Sequence, residues 1–203
     1  MRPKRPSPQV VPRFVLASGS PRRRRLLEKG GYEFDVVLPM VAEVSGAWLT
    51  VREATACNAM RKALEVAQSA PGAVVLGADT LVALDGHVMG KPADLASAAK
   101  LLRRLSGRSH EVWTSVFVCH NASGQTHSFQ EVSQVRFRKL NDRAIATYLA
   151  KVDPLDKAGA YAAQGHGVEI IERIEGSYSN VVGLPMEETA RVLRAFGITS
   201  QRN

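Results

Sequence analysis

The sequence predicts an α/β protein in which strands and helices alternate along most of the chain. Three features indicate this class. An apolar segment runs directly into a helix start at Ser20-Pro21, the pattern Thr50-x-x-Glu53 is a helix capping box, and Asp85-Gly86 separates two apolar segments as a hairpin turn does. Such alternation is typical of α/β folds.

The predicted elements of the first half follow in chain order. Residues 14–17 form an apolar strand, and a helix over 22–29 follows it and ends at two glycines. A second strand covers 34–38. The long helix that starts at Thr50 ends before a Pro-Gly pair, and its buried face is predicted from residues at helical spacing: Ala56, Ala59, Ala63, Leu64 and Ala67.

The middle of the chain is predicted to form strands around the hairpin. Residues 73–76 are an apolar strand that leads into a turn at Gly77-Ala78-Asp79-Thr80, and strands 81–84 and 87–89 flank the hairpin turn. Asp94 caps the next helix, whose apolar residues recur at helical spacing: Leu95, Ala98, Ala99, Leu102 and Leu105.

The last part of the chain adds three strands and two helices. Strands over 111–119 and 128–137 are joined by a polar turn. The predicted elements after them are a helix capped by Asn141 and running through Leu149, a glycine-rich stretch over 156–167, a strand over 168–174, and a final helix that begins near Pro185 and buries Thr189, Val192, Leu193 and Phe196.

Composition excludes several classes of protein. No apolar run approaches the roughly 18–20 residues of a membrane span, and the basic, proline-rich residues 1–12 lack the apolar core of a secretion signal. We predict a disordered tail at 1–12, a single domain at 13–198 and a C-terminal tail at 199–203. Cys57 and Cys119 are too few for a disulfide framework, which favours a cytoplasmic setting.

The net charge of +8 at pH 7 is concentrated in the N-terminal tail and in the arginine run 22–25. Nucleic-acid binding would explain such charge, but a small molecule that carries phosphate explains the second cluster as well. At this helix start, free backbone N–H groups and the helix dipole meet the side chains of Ser18, Ser20 and Arg22. We predict a phosphate site here; a solvated basic helix with an ordinary cap is the alternative.

Asp79 is the candidate catalytic acid. It follows an apolar strand among small neighbours, where a carboxylate can bind a divalent metal or take a proton from water. The alternative is a turn aspartate that bonds its own backbone. Glu43 is a second acid, in the loop before the long helix, and on its own it is typical of a solvated surface charge.

Other segments could contact the same ligand. Lys62 on the long helix and Lys91, fixed between a glycine and a proline, could each hold a phosphate oxygen, although Lys62 could equally be a surface lysine. The small residues of 156–161 suit a loop close to a ligand, and Gln164 could read the edge of a base. The histidines show no metal-ligand spacing and are predicted to be surface or turn residues, and the loop 176–180 is assigned no role.

Taken in order, these segments resemble the Maf family of nucleoside triphosphate pyrophosphatases over about residues 14–198. The matching motifs are Ser18-Gly19-Ser20-Pro21-Arg22-Arg23, Glu43, Lys62-Ala63, Gly77-Ala78-Asp79-Thr80, Gly90-Lys91-Pro92, Leu105-Ser106-Gly107, the segment 156–161 and the segment 176–185. The resemblance implies an inosine triphosphatase-like fold, with an elongated mixed sheet flanked by helices and a central cleft, often in a homodimer. It also implies hydrolysis of a nucleoside triphosphate between its α- and β-phosphates with a divalent cation (Mg²⁺, Mn²⁺ or Co²⁺).

The resemblance also implies roles for single residues. Asp79 would accept the proton of the attacking water and would share the metal with Glu43. The residues that would hold the phosphates are Ser18, Ser20, Arg22, Lys62, Lys91 and Lys157. Ala42 stands where the family usually has a second acid beside Glu43, so we expect a higher requirement for cation if that acid shares the metal.

The branch of the family is predicted from Arg23, Thr80 and Gln164, which resemble members that act on dTTP and UTP. The Gln164 amide can complement the O4 and N3 edge of uracil or thymine. The sister branch, which acts on 7-methyl-GTP, tends to carry glutamate at this position. That activity, hydrolysis of modified pyrimidine nucleotides, and a non-catalytic nucleic-acid-binding regulator linked to arrested septum formation remain alternatives.

Overall fold

A mixed β-sheet with helices on both faces is formed by residues 12–46 and 48–202, the part of the chain that this computed structural model describes. The predicted tail at 1–12 lies outside that part except for its last residue. The strands are β1 (Arg13–Ala17), β2 (Asp35–Val37), β3 (Ala73–Leu84), β4 (His87–Met89), β5 (Ser109–His120), β6 (Gln125–Phe137) and β7 (Ile171–Glu175). The helices are α1 (Pro21–Lys29), α2 (Val51–Ser69), α3 (Leu95–Leu105), α4 (Asp142–Leu149), α5 (Gly167–Ile170), α6 (Tyr178–Val182) and α7 (Met186–Ala195).

The order of the strands leaves a gap in the sheet beside β3. The order is β2-β1-β3-β5-β6-β7, with β1 parallel to β2 and β3, and with β5, β6 and β7 antiparallel to their neighbours. One edge of β3 pairs with β5. The other edge pairs with β1 as far as Gly77 and with β4 from Val82 onward. Residues 78–81 therefore have a strand on one edge only.

Side chains of β1 alternate between two cores, because successive residues of a strand point to opposite faces. Phe14 and Leu16 join the cluster that contains residues of α1 and α7, whereas Val15 and Ala17 join the cluster that contains residues of α2. A third cluster surrounds the second half of β3 together with α3 and α4. β3 contributes to all three clusters.

The predicted turn at residues 77–80 is wrong, because these residues form the middle of β3. Asp79 pairs with Ser115 of β5, and the ladder continues to Ala83 without a break. Close packing, and not a turn, explains the small residues here. A Cβ at Gly77 would lie 2.4 Å from the carbonyl oxygen of Ala59. β3 and α2 therefore approach each other closely at this point.

The predicted buried face of α2 is wrong in two positions. Ala56 and Leu64 are exposed, and the buried positions include Asn58 and Lys62 in their place. A count of apolar residues at helical spacing misses these two, because a polar side chain can be buried once partners satisfy it. Ala59, Ala63 and Ala67 are buried as predicted.

Most of the other local predictions are confirmed. The capping box of α2, the caps at Asp94 and Asn141, the hairpin and the buried residues of α7 are all present. Ser20 occupies the N-cap of α1, but its hydroxyl makes no capping bond. The predicted strand over 168–174 begins only at Ile171, after α5. α6 starts inside the predicted loop 176–180 and ends beyond it, at Val182.

The last described residues of the chain contact the end of α1. Ser200, Gln201 and Arg202 donate hydrogen bonds to the carbonyl groups of Gly30, Gly31 and Lys29, respectively, at the end of α1.

Among the helices of residues 12–46 and 48–202, none has both the length and the apolar character that crossing a bilayer requires.

Candidate active site

Asp79 lies at the gap in the sheet, just beyond the carboxyl end of β1. Its side chain is only 6% exposed, and α2 contacts both carboxylate oxygens. Lys62 Nζ lies 2.7 Å from Oδ1, and Asn58 Nδ2 donates to Oδ2 at 3.2 Å. Ligands of α/β sheets commonly bind beyond the carboxyl ends of the strands, so the position suits a reacting carboxylate.

Lys62 joins Asp79 to the loop before α2. Its ammonium also contacts Glu43 Oε1 at 2.6 Å, so one cation is shared by two carboxylates. Burial alone would raise the pKa of Glu43, but the hydrogen bond and charge of Lys62, with the charges of Lys91 and Arg23, lower it below its usual value. The formal charges of the two acids and Lys62 sum to −1, and Arg23 and Lys91 add positive charge nearby.

Arg23 is buried and connects three parts of the site. Its Nε donates to the carbonyl of Gly183 at 2.8 Å, one terminal nitrogen donates to Ser18 Oγ at 3.1 Å, and the other donates to Thr80 Oγ1 at 3.0 Å. Burial is the main effect on its pKa and lowers it, while the charge of Asp79 raises it. The structure thus brings Ser18, Arg23 and Thr80 into direct contact.

Arg22 and Lys157 meet at a third carboxylate, that of Asp156. Arg22 lies 3.1 Å from Asp156 Oδ2, and the ammonium of Lys157 contacts Oδ1 and also the carbonyl of Asp153. Burial would raise the pKa of Asp156, but Lys157 and Arg22 together lower it. Two of the predicted phosphate-binding residues therefore already share an anion.

The remaining predicted site residues lie in the adjoining loops. The backbone N–H of Ser20 donates to Ser18 Oγ at 3.2 Å. Lys91 is exposed, and the segment that carries it is tied to the 156–161 loop by a backbone bond from Gly159 to Gly90 at 3.2 Å. Gln164 is half-buried and follows Ala163, whose carbonyl accepts a hydrogen bond from the hydroxyl of Tyr178.

His110 anchors the 156–161 loop, and its prediction as a surface or turn residue is wrong. It is 2% exposed, and its Nε2 lies 2.8 Å from the hydroxyl of Tyr161. The rings of His110, Tyr161 and Phe137 pack edge to face. Burial lowers the pKa of His110 to about 4, so the ring is neutral near pH 7.

Sequence reasoning missed Asn58 and the bridging role of Asp156. The sequence does point to Asp156, since it lies beside Lys157 in the segment 156–161. Asn58 has only a weak one: it precedes Lys62 by four residues and so lies on the same face of α2. A buried amide cannot be distinguished from an exposed one by its spacing alone.

Glu43 and Asp79 are the side chains that could hold a divalent cation at this site. Within residues 12–46 and 48–202 no group of three or more His, Cys, Asp and Glu side chains is placed to bind a metal. Mg²⁺ is commonly bound through one or two carboxylates together with substrate phosphates and water. The pair of acids on Lys62 fits that mode of binding.

A separate cavity of about 660 Å³ opens between the start of α2 and strands β5 and β6. It is lined by Thr50, Arg52, Glu53, Ala56, Ser115, Val116, Phe117, Ser128, Phe129 and Gln130. None of the predicted site residues is in that lining, so the cavity is distinct from the candidate site.

Comparison with known proteins agrees with the motifs that this site contains. The Maf family, described as "Maf-like protein", matches this chain over residues 13–196. A dTTP/UTP pyrophosphatase of Bacillus cytotoxicus is 42% identical over 184 residues, which cover 91% of this chain and 95% of that protein.

Two further relatives give the same result. A dTTP/UTP pyrophosphatase of Bacillus cereus is 41% identical, with 92% of this chain and 91% of that protein covered. One of Bacillus anthracis is 40% identical, with 92% and 96% covered. Because both the family description and these relatives span nearly all of the chain, the protein belongs to the Maf family.

Proposed function

We propose that this protein is a nucleoside triphosphate pyrophosphatase that hydrolyses dTTP and UTP to the monophosphate and pyrophosphate. The observation that carries the proposal is the buried Asp79 carboxylate at the gap in the sheet, bonded to Lys62, which also contacts Glu43. The names of the relatives, which match over about nine-tenths of the chain, agree with this substrate class.

The residues of the site divide the work of phosphoanhydride cleavage. Such cleavage needs mainly positioning and neutralisation of charge. Asp79 accepts a proton from the water that attacks phosphorus, while the P–O bond of the inner anhydride breaks and pyrophosphate leaves. A divalent cation held by Glu43 and Asp79 would offset phosphate charge. The residues that would hold the phosphates are Arg22, Lys62, Lys91 and Lys157, together with the hydroxyls of Ser18 and Ser20.

On this proposal Gln164 reads the base, and Arg23 and Thr80 belong with it to the set of residues that sets the choice of dTTP and UTP. The amide of Gln164 offers both a donor and an acceptor, which complement the O4 and N3 edge of a pyrimidine. Arg23 donates to Thr80 Oγ1 at 3.0 Å, and this hydroxyl also lies 3.0 Å from Thr114 Oγ1 and donates to the carbonyl of Gly183 at 3.4 Å. Thr80 follows Asp79 in β3, and the charge of Asp79 acts on Arg23.

The test is pyrophosphate release from a panel of nucleotides with Mg²⁺, Mn²⁺ or Co²⁺. The panel contains dTTP, UTP, CTP, 7-methyl-GTP and a modified pyrimidine triphosphate. We expect dTTP and UTP to give the highest kcat/KM. Preference for 7-methyl-GTP would assign the sister activity, preference for the modified nucleotide would assign removal of damaged pyrimidines, and DNA binding without turnover would contradict the proposal.

Replacement of the candidate base gives the first prediction. Asp79→Asn keeps the size of the side chain but removes the proton acceptor, so we expect kcat to fall on the order of a hundredfold or more. Binding of a non-hydrolysable dTTP analogue, measured by calorimetry, should survive. Asp142→Asn, at a highly exposed carboxylate on α4, is the matched control. Turnover near that of the wild type in Asp79→Asn would remove Asp79 from the mechanism.

We further propose a homodimeric enzyme of one catalytic domain that acts in the cytoplasm. The family resemblance supports the dimer, and nucleoside triphosphates are intracellular substrates. Cys57 and Cys119 are both free thiols, which agrees with a reducing compartment. Light scattering on the purified protein tests the dimer: the mass should be twice that of the 22.0 kDa chain.

A further inference from the structure

Asn58 uses both ends of its side-chain amide inside the candidate site. It is 3% exposed on the buried face of α2. Its Nδ2 donates to Asp79 Oδ2 and to the carbonyl oxygen of Val44, each at 3.2 Å, and its Oδ1 accepts from the backbone N–H of Val44 at 2.7 Å. One buried side chain thus contacts the candidate base and the backbone beside Glu43.

The contact of Asn58 with Asp79 and its contact with Val44 have different consequences. Lys62 binds Oδ1 through a flexible stem with a rotatable ammonium, which leaves the plane of the carboxylate free to turn. The bond from Asn58 to Oδ2 fixes that plane. Residues 41–46 have no regular structure, and the two-point bond to Val44 attaches them to α2.

We propose that Asn58 is a positioning residue for the pyrophosphatase reaction. It holds the Asp79 carboxylate in one rotamer and fixes the segment that carries Glu43, so that both acids keep one separation and one direction toward the inner anhydride. Asn58 and Lys62 lie one helical turn apart, so a single rigid helix controls both carboxylates. The inference rests on the proposed function, because it assigns Asn58 a part in that same reaction.

Two substitutions separate positioning from support of the fold. Asn58→Leu keeps the approximate shape and removes every hydrogen bond. Asn58→Asp keeps an acceptor for the N–H of Val44, loses both donated bonds, and places a second carboxylate against Asp79. We expect kcat for dTTP to fall about tenfold to a hundredfold in Asn58→Leu, and further in Asn58→Asp, because misplaced reacting groups slow the chemical step. KM should stay within about threefold, since the phosphate-binding cations are unchanged.

The matched control is Val66→Ala, which opens a small cavity on the buried face of α2 away from Asp79. Its thermal unfolding midpoint should fall while kcat and KM stay near those of the wild type. For Asn58 the pattern is the opposite, with a loss of kcat in protein that circular dichroism shows to be folded.

Three outcomes would overturn the inference. They are an unchanged kcat in both Asn58 variants, a kcat higher in Asn58→Asp than in Asn58→Leu, and a loss of kcat in Val66→Ala equal to that in Asn58→Leu. Each can occur while the wild type hydrolyses dTTP, so each leaves the proposed function intact. Absence of wild-type turnover on the whole nucleotide panel would refute both proposals together.

Discussion

At the scale of single residues, shared charges prepare the site for a polyanion. Lys62 is divided between Asp79 and Glu43, and Asp156 is divided between Arg22 and Lys157. On the proposed function, a triphosphate that bound Arg22 and Lys157 would compete with the Asp156 carboxylate for these two cations. Because the side chain of Asp156 is half exposed, water can take over its solvation when that happens.

Substrate choice is tested at Gln164. Glutamate offers acceptors only, so Gln164→Glu removes the donor that we propose for O4 of the pyrimidine. We expect kcat/KM for dTTP and UTP to fall on the order of tenfold to a hundredfold, while use of guanine nucleotides rises.

Steady-state kinetics on the nucleotide panel measure this change. Gln68→Glu, at an exposed position of α2, introduces the same charge away from the site and serves as the control. An unchanged substrate profile in Gln164→Glu would show that Gln164 does not read the base.

Sequence reasoning reached those residues whose chemistry is visible in their neighbours. Asp79 stands out because small residues surround it, and Lys62 because it lies among alanines. Asn58 and His110 could not be recognised, since their roles depend on partners distant in sequence: Asp79 is 21 residues away from Asn58, and Tyr161 is 51 residues away from His110. Such pairings follow from the fold and not from local spacing.

At the scale of elements, the contact between α2 and β3 sets the geometry of the site. α2 carries Asn58 and Lys62, and β3 carries Asp79. The two elements can approach because Gly77 has no side chain. A Cβ there would lie 2.4 Å from the carbonyl oxygen of Ala59 and 2.7 Å from the backbone nitrogen of Ala63.

Gly77→Ala tests this contact. The methyl group would collide with helix backbone, which cannot rotate away, so α2 must shift. We expect a loss of about 1–3 kcal/mol in the free energy of unfolding, together with a fall in kcat, because Asn58 and Lys62 move away from Asp79. Urea unfolding and dTTP hydrolysis measure the two effects.

Gly72→Ala is the control for this substitution. It lies in the turn between α2 and β3, and a Cβ there meets nothing within 4 Å. An alanine at position 77 that leaves both unfolding and turnover as in Gly72→Ala would contradict the proposed role of the close contact.

Elements with local signals were predictable, and those defined by pairing were not. The caps at Thr50, Asp94 and Asn141 are predictable because each depends only on residues within four positions of the helix start. The continuation of β3 through 77–80 depends on β5, which begins 25 residues after the end of β3. α5 is a single helical turn, and the apolar residues around it lead to the prediction of a strand.

At the scale of the whole molecule, a buried histidine links stability to pH. The pKa of His110 is lowered to about 4 from 6.5 because the ring is buried. Between these values the unfolded chain binds a proton that the folded protein does not, so the free energy of unfolding falls as pH falls through this range. Above it, His110 makes no contribution to the pH dependence.

We expect this histidine alone to lower the free energy of unfolding by about 2 kcal/mol between roughly pH 7 and pH 4.5. Urea unfolding of His110→Gln, which keeps a polar partner for Tyr161, should show a shallower pH dependence than the wild type by that amount. His87→Gln, at an exposed histidine of β4, is the control. Equal pH slopes in the wild type and His110→Gln would refute the assignment.

The unbroken course of β3 past Asp79 limits how the enzyme can adapt to a nucleotide. A hinge at that point would have to break a ladder that pairs β3 with β5 at ten successive positions. The ladder therefore holds the backbone of Asp79, the proposed catalytic base, in place. On the proposed function, we expect adjustment to nucleotides of different size to occur in the loops that carry Glu43, Lys91 and Lys157. Substitutions in those loops should therefore alter the substrate range while the chemistry is preserved.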